Sequence, residues 1–212
     1  MAIISTKGVR FLDILQYPDV EVKEGVVTFL SGESGSGKTT LLRLFNHIYS
    51  PSAGTIYYKD KNILDYDPVL LRQEILLVGQ NVYLFDTSIS ENFDTFYGYR
   101  DKERITEEEK LRFLHLCSID FPLDSNCSNM SAGERQRVFL AIHLSLGFEV
   151  LLLDEPTSAL DYQNAHAFLD NVIAYCKRIG KTLVIISHDR EIVQSYAEEV
   201  IELMKFERNQ RA

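Results

Sequence analysis

The run Gly32-Glu33-Ser34-Gly35-Ser36-Gly37-Lys38-Thr39 has the spacing of a loop that wraps its backbone around a phosphate. The glycines allow successive N–H groups to turn inward, and a helix beginning near Lys38 adds the partial positive charge of its first turn. Lys38 is placed to reach the β- and γ-phosphates of a nucleotide, and the Thr39 hydroxyl to bind Mg²⁺. Glu33, Ser34, Ser36 and Thr40 complete the expected phosphate-binding set. A second centre lies far along the chain, where Val150-Leu151-Leu152-Leu153 runs into Asp154-Glu155. Ligands bind at the C-terminal edge of an open α/β sheet, so two carboxylates ending a buried strand are well placed. Asp154 suits Mg²⁺ and Glu155 the orientation of an attacking water.

These groups need a scaffold, and the hydrophobic pattern predicts one. Val26–Leu30, Ile75–Val78, Val150–Leu153 and Leu183–Ile186 are short apolar runs that read as buried strands. Gly54–Tyr58 reads as a strand leading into a turn. Helices are expected over Lys38 to Ile48, from an Asp67-Pro68 start through Arg72, and over Tyr162 to Arg178 with Gly180 as the stop. Thr106 with Glu109 and Ser131 with Glu134 form capping-box pairs that open two more helices. Strands alternating with helices imply an α/β fold with a parallel sheet and right-handed crossovers. From Ser88 to about Gly147 the pattern turns helical, and this stretch reads as a lobe inserted between sheet strands. The expected division is 1–80 with 148–212 as the nucleotide-binding core and 81–147 as the helical lobe.

Composition sets the class. Of 212 residues, 45% are apolar and 25% charged, as in an ordinary globular protein. Lys and Arg number 22 against 31 Asp and Glu, a net charge of −9. A broad basic face for nucleic acid is therefore not expected. Cys117, Cys127 and Cys176 lie far apart and suggest neither a disulfide framework nor a zinc site. No apolar run approaches the roughly 18–20 residues that cross a bilayer, and the first residues do not read as a signal peptide. A cytoplasmic location is the expectation, with any membrane role carried by a partner.

Further segments resemble the ATP-binding-cassette ATPases. Asn129-Met130-Ser131-Ala132-Gly133-Glu134-Arg135-Gln136-Arg137 resembles their signature segment, Glu155-Pro156-Thr157-Ser158-Ala159-Leu160-Asp161 their D-loop, and Ser187-His188-Asp189 their switch histidine. Val78-Gly79-Gln80-Asn81 resembles the Q-loop. The resemblance covers nearly the whole chain. It implies a P-loop NTPase (RecA-like) core with a small antiparallel β subdomain. It also implies a head-to-tail homodimer or heterodimer holding ATP and Mg²⁺ between the phosphate loop of one subunit and Ser131, Ala132, Gly133 and Glu134 of the other. Carried over residue by residue, Gln80 contacts Mg²⁺ or the attacking water, His188 reaches the γ-phosphate, and Asp161 shapes the interface. An aromatic ahead of the phosphate loop stacks on adenine, with Phe11 chosen and Tyr17 second.

This sequence departs from the family pattern in three places. Ala132 replaces the first signature glycine, Glu134 replaces the terminal glutamine, and Pro122–Asn129 lacks the stretch that fused exporters carry. The shortness of the chain and the Ser125–Asn129 run resemble small ATPases paired with a separate transmembrane permease, as in a type of bacterial iron or metal exporter. The implied function is an ATPase subunit lying on the inner face of the cell membrane through that permease, with a non-transport assembly ATPase as the alternative. Phe93, Phe96, Tyr97 and Tyr99 are candidates for a groove that receives a partner helix, or equally for core packing.

Overall fold

A computed structural model describes residues 1–12 and 14–204. Residues 205–212, the end of the expected 148–212 segment, lie outside the described residues. The chain builds two sheets. The parallel one contains β4 (Val27–Gly32), β7 (Ile75–Val78), β8 (Val150–Asp154), β9 (Thr182–Ile186) and β10 (Glu199–Leu203), in the order β10-β4-β9-β8-β7. The antiparallel one is centred on β1 (Ala2–Phe11), which pairs with β2 (Leu15–Gln16), β3 (Glu21–Lys23) and β5 (Ala53–Tyr58); β6 (Lys61–Asn62) extends it from β5.

Seven α-helices are described: α1 (Lys38–Phe45), α2 (Pro68–Glu74), α3 (Ile89–Gly98), α4 (Glu107–Leu116), α5 (Ala132–Leu146), α6 (Tyr162–Arg178) and α7 (Arg190–Tyr196). α3, α4 and α5 fall between β7 and β8, which are neighbours in the sheet. The expected starts hold at Asp67, Thr106 and Ser131, each of which accepts a first-turn N–H as an N-cap. A third capping box, Ser88 with Glu91, opens α3. α1 ends at Phe45 rather than Ile48, because His47 takes a φ of 56° and turns the chain out of the helix.

Side chains on successive strand residues point to opposite faces, and that alternation sorts the parallel sheet into two cores. Phe29, Leu76, Leu151, Leu153, Leu183 and Ile185 pack with α3 to α6. Leu30, Ile75, Leu152, Val184 and Ile186 pack with α1 and the antiparallel sheet. Among the described residues the helical segment thus shares its core with one face of the sheet. Phe93 and Tyr97 are buried within this core, which removes them from the expected partner groove.

Asn92 fixes the start of the helical segment. Its buried amide accepts from Phe85 N at 2.9 Å and donates to Phe85 O and Ser88 O at 3.1 and 3.0 Å. All three cysteines are buried and free, and burial pushes the Cys176 thiol up to about 12.

Candidate active site

The strand order makes the site. Spatially β4 lies beside β9, and β9 beside β8, although β8 precedes β9 in the chain. The phosphate loop follows β4, Ser187-His188 follows β9, Asp154-Glu155 ends β8, and Gln80 follows β7. Four segments distant in sequence therefore meet along one sheet edge.

At the loop, Gly35 and Gly37 take φ of 82° and 89°, which curls the backbone before α1. Lys38 is buried and bends back, donating to Gly32 O at 2.7 Å and Glu33 O at 2.9 Å. Burial lowers its pKa, against the opposing pull of Glu155 and Asp154. Ser36 Oγ is buried without a hydrogen-bond partner, although it sits inside the expected phosphate cradle. Such an orphan fits a site built for an acceptor the chain does not supply. Glu33 and Ser34 are exposed, and Thr40 is half-buried in the first turn of α1.

Thr39 Oγ1 donates to Asp154 Oδ1 at 3.2 Å. Asp154 is 4% exposed, and burial raises its pKa more than the Thr39 hydrogen bond lowers it. A buried carboxylate beside a hydroxyl at the loop's helix start is an all-oxygen donor set, which suits Mg²⁺. Asp154→Asn should therefore stabilise the nucleotide-free chain. The raised folded pKa means that the ionised carboxylate opposes folding at neutral pH, and that this penalty is relieved as pH falls through the folded value. We expect about 1 kcal/mol of added stability, a rise of about 2–4 °C in Tm by calorimetry, together with loss of the extra stabilisation from Mg-ATP. An unchanged or lower Tm would count against a strained Asp154.

Glu155 occupies the left-handed region, with φ of 51°. Non-glycine residues held there cluster at functional sites. Its N–H is tied to Ile186 O at 3.1 Å, and its Oε1 lies 2.9 Å from His188 Nε2. The expected pair of Glu155 and His188 is in direct contact, while the His188 side chain stays half exposed. They border a cavity of about 330 Å³, continued by Thr157, Ser158 and Tyr162. Asp161 caps α6, accepting from Asn164 N at 3.0 Å, and these hydrogen bonds depress its pKa.

The other expected residues fall as follows. Gln80 is exposed just past β7. Ser131 and Ala132 are exposed and Gly133 is buried in the first turn of α5. The Glu134 carboxylate turns back onto Ser131, as a capping glutamate does. Phe11 is half-buried with its ring stacked on Tyr49 at 5.0 Å. Tyr17, the second choice for adenine, is buried at 4% exposure. Its hydroxyl donates to Gly37 O at 3.0 Å, so it props the phosphate loop and offers no free ring face. Gln136 was not singled out by sequence. Its buried Nε2 donates to Gly79 O at 3.0 Å and ties α5 to the turn carrying Gln80. The available signal was a polar residue on a buried helix position.

A glycine-rich loop between a strand and a helix, facing a strand-end Asp-Glu pair on a parallel sheet, defines the P-loop nucleotide hydrolases. The comparisons narrow this class. Residues 15–158 match the family model for the ABC transporter. ABC transporter I family member 17 of Arabidopsis thaliana is 32% identical over 201 residues, 91% of this chain and 76% of that protein. Protein STAR1 of Oryza sativa subsp. japonica is 36% identical over 188 residues, 88% of this chain and 54% of that protein. Among solved structures, cbiO1 from Clostridium perfringens, part of the ABC transporter complex cbiONQ, superposes with a TM-score of 0.80 at 29% identity. That match covers 95% of this chain and 84% of the other. The chain belongs to the ABC transporter family and is one of its ATPase domains.

Proposed function

We propose that this chain is the ATP-hydrolysing subunit of a transporter and powers a separate membrane permease through nucleotide-driven closure of a cassette dimer. The observation that carries this reading is the meeting of the phosphate loop, Asp154 and the Glu155–His188 pair on one sheet edge. The separate permease is supported by the likeness to cbiO1, part of a transporter complex. Among the described residues no helix is long and apolar enough to cross a membrane. The chain is then peripheral, on the inner face of the cell membrane. Metal or iron export is the cargo class to test first, on the resemblance carried by the length of the chain and Ser125–Asn129. We read 1–80 with 148–212 as the nucleotide-binding lobe and 81–147 as the helical lobe.

In this reading the loop N–H groups, Ser36 and Lys38 hold the phosphates of ATP, and Phe11 stacks on the adenine. Thr39, Asp154 and Gln80 would hold Mg²⁺, which when bound neutralises phosphate charge. Glu155 orients the attacking water and accepts its proton, while His188 fixes the carboxylate and reaches the γ-phosphate. Ser131 to Glu134 of a second copy complete the site, with Asp161 shaping the interface. Phe96 and Tyr99, joined by Tyr83 and Phe85, form an aromatic surface beside the Gln80 turn. Tyr83 and Tyr99 are 66% and 69% exposed, and this surface receives a helix of the permease.

The test is titration calorimetry with Mg-ATP on the parent chain, followed by sedimentation velocity of Glu155→Gln. One nucleotide per chain and a monomer-to-dimer shift that needs Mg-ATP are expected. Failure to take up Mg-ATP would overturn the reading.

A further inference from the structure

The first turn of α5 already holds an anion, and it belongs to the chain itself. Glu134 Oε2 accepts from Ser131 N at 2.8 Å and from Ser131 Oγ at 2.7 Å, while Glu134 N donates to Ser131 Oγ at 3.3 Å. Both donors that Ser131 would offer to an incoming phosphate are thus satisfied internally. These bonds hold the Glu134 carboxyl below the usual carboxylate range. The same arrangement closes Ser88 with Glu91 and Thr106 with Glu109, on helices outside the proposed reaction. At Ser131, unlike those two, the proposed dimer brings a second anion to the same donors.

One turn further along α5 lies Arg137. Residues three apart on a helix are neighbours, and Glu134 is the first charge that opposes the effect of burial on this guanidinium. Arg137 Nε is buried and has no hydrogen-bond partner. A cation with an unused donor therefore stands three residues along the helix from the capping carboxylate.

We propose that Glu134 is a tethered competitor for Ser131, displaced onto Arg137 when the partner copy's nucleotide arrives, so that the chain carries its own brake on dimer closure. This inference rests on the reading of residues 131–134 as the segment that completes a second copy's site. The brake is electrostatic. A glutamine in place of Glu134 keeps an oxygen for the Ser131 N–H and so preserves the cap, but removes the like charge facing the phosphate. Arg137 acts through Glu134 and is a positioning residue.

The experiment is sedimentation velocity in Mg-ATP, with Glu155→Gln as the common background to stop turnover. Adding Glu134→Gln should lower the protein concentration for half-dimerisation on the order of tenfold. Arg137→Gln should raise it in the Glu134 chain and have a several-fold smaller effect once Glu134→Gln is present, a coupling that a purely structural arginine would not show. Equal or weaker dimerisation on adding Glu134→Gln overturns the brake and leaves the transporter reading intact. A chain that binds Mg-ATP yet stays monomeric with and without Glu134→Gln overturns the dimer and the brake together.

Discussion

Glu155→Gln is expected to lower kcat for ATP hydrolysis by about 10²–10⁴-fold, the range that a positioned general base contributes. Nucleotide affinity should change little, because the amide keeps the shape of the carboxylate and the phosphate-holding groups sit on a different strand. The structure gives two reasons to single out this carboxylate over Asp154. Glu155 stands in a left-handed backbone conformation, which the adjoining β9 enforces through the Ile186 carbonyl, and its side chain is braced by His188 at 2.9 Å. Asp154 is buried and already engaged by Thr39. Phosphate release in steady state and nucleotide binding at equilibrium, compared for parent and Glu155→Gln, separate the two properties. Turnover within a few-fold of the parent would remove Glu155 from the role of base. A parallel loss of binding would mark it as a phosphate-holding group instead.

Gly32→Ala should have a large effect on the fold. Gly32 takes a φ of 145° as β4 leaves the sheet, and a Cβ there would stand 2.3 Å from Leu203 O and 2.9 Å from Ser36 Oγ. The first is a backbone atom of β10, paired to Gly32 in register, so it cannot swing aside as a side chain would. Strain plus a forced separation of β10 from β4 is expected to cost about 3 kcal/mol, a fall of roughly 6–12 °C in Tm for a domain this size. The same methyl group would press on Ser36, so Mg-ATP should rescue less stability in Gly32→Ala than in the parent. Differential scanning calorimetry with and without nucleotide measures both effects. A melting temperature within 2 °C of the parent, a threshold set by the slope used above, would show that the edge strand yields freely.

Several features were legible in the sequence because their causes are local. Gly32 to Thr39 encodes its own curl, and Ser131 with Glu134 or Thr106 with Glu109 encodes a helix start through side chains three residues apart. The apolar runs ending at Val78, Leu153 and Ile186 mark buried strands because both faces of a parallel sheet are covered. β1 was not legible. Its ten residues mix buried Ile3, Ile4 and Val9 with exposed Lys7, Gly8 and Arg10, and its pairing with β5 shifts register between Lys7 and Arg10. No period-2 alternation survives such an interruption. The role of Tyr17 was missed for a related reason: an aromatic near a phosphate loop reads equally as a stacking ring or as a prop, and only burial separates the two.

Short-range patterns in the chain carry the chemical inventory: a glycine-rich loop, a strand-end Asp-Glu pair, a capped helix at Ser131 and a histidine after the last buried run. Tertiary structure alone decided which of these touch. Placing β9 between β4 and β8 sets His188 against Glu155, and the Asp154 face of β8 against α1 and Thr39. Strand order is a choice among non-local pairings made by the packing of whole elements, and no residue's immediate neighbours encode it.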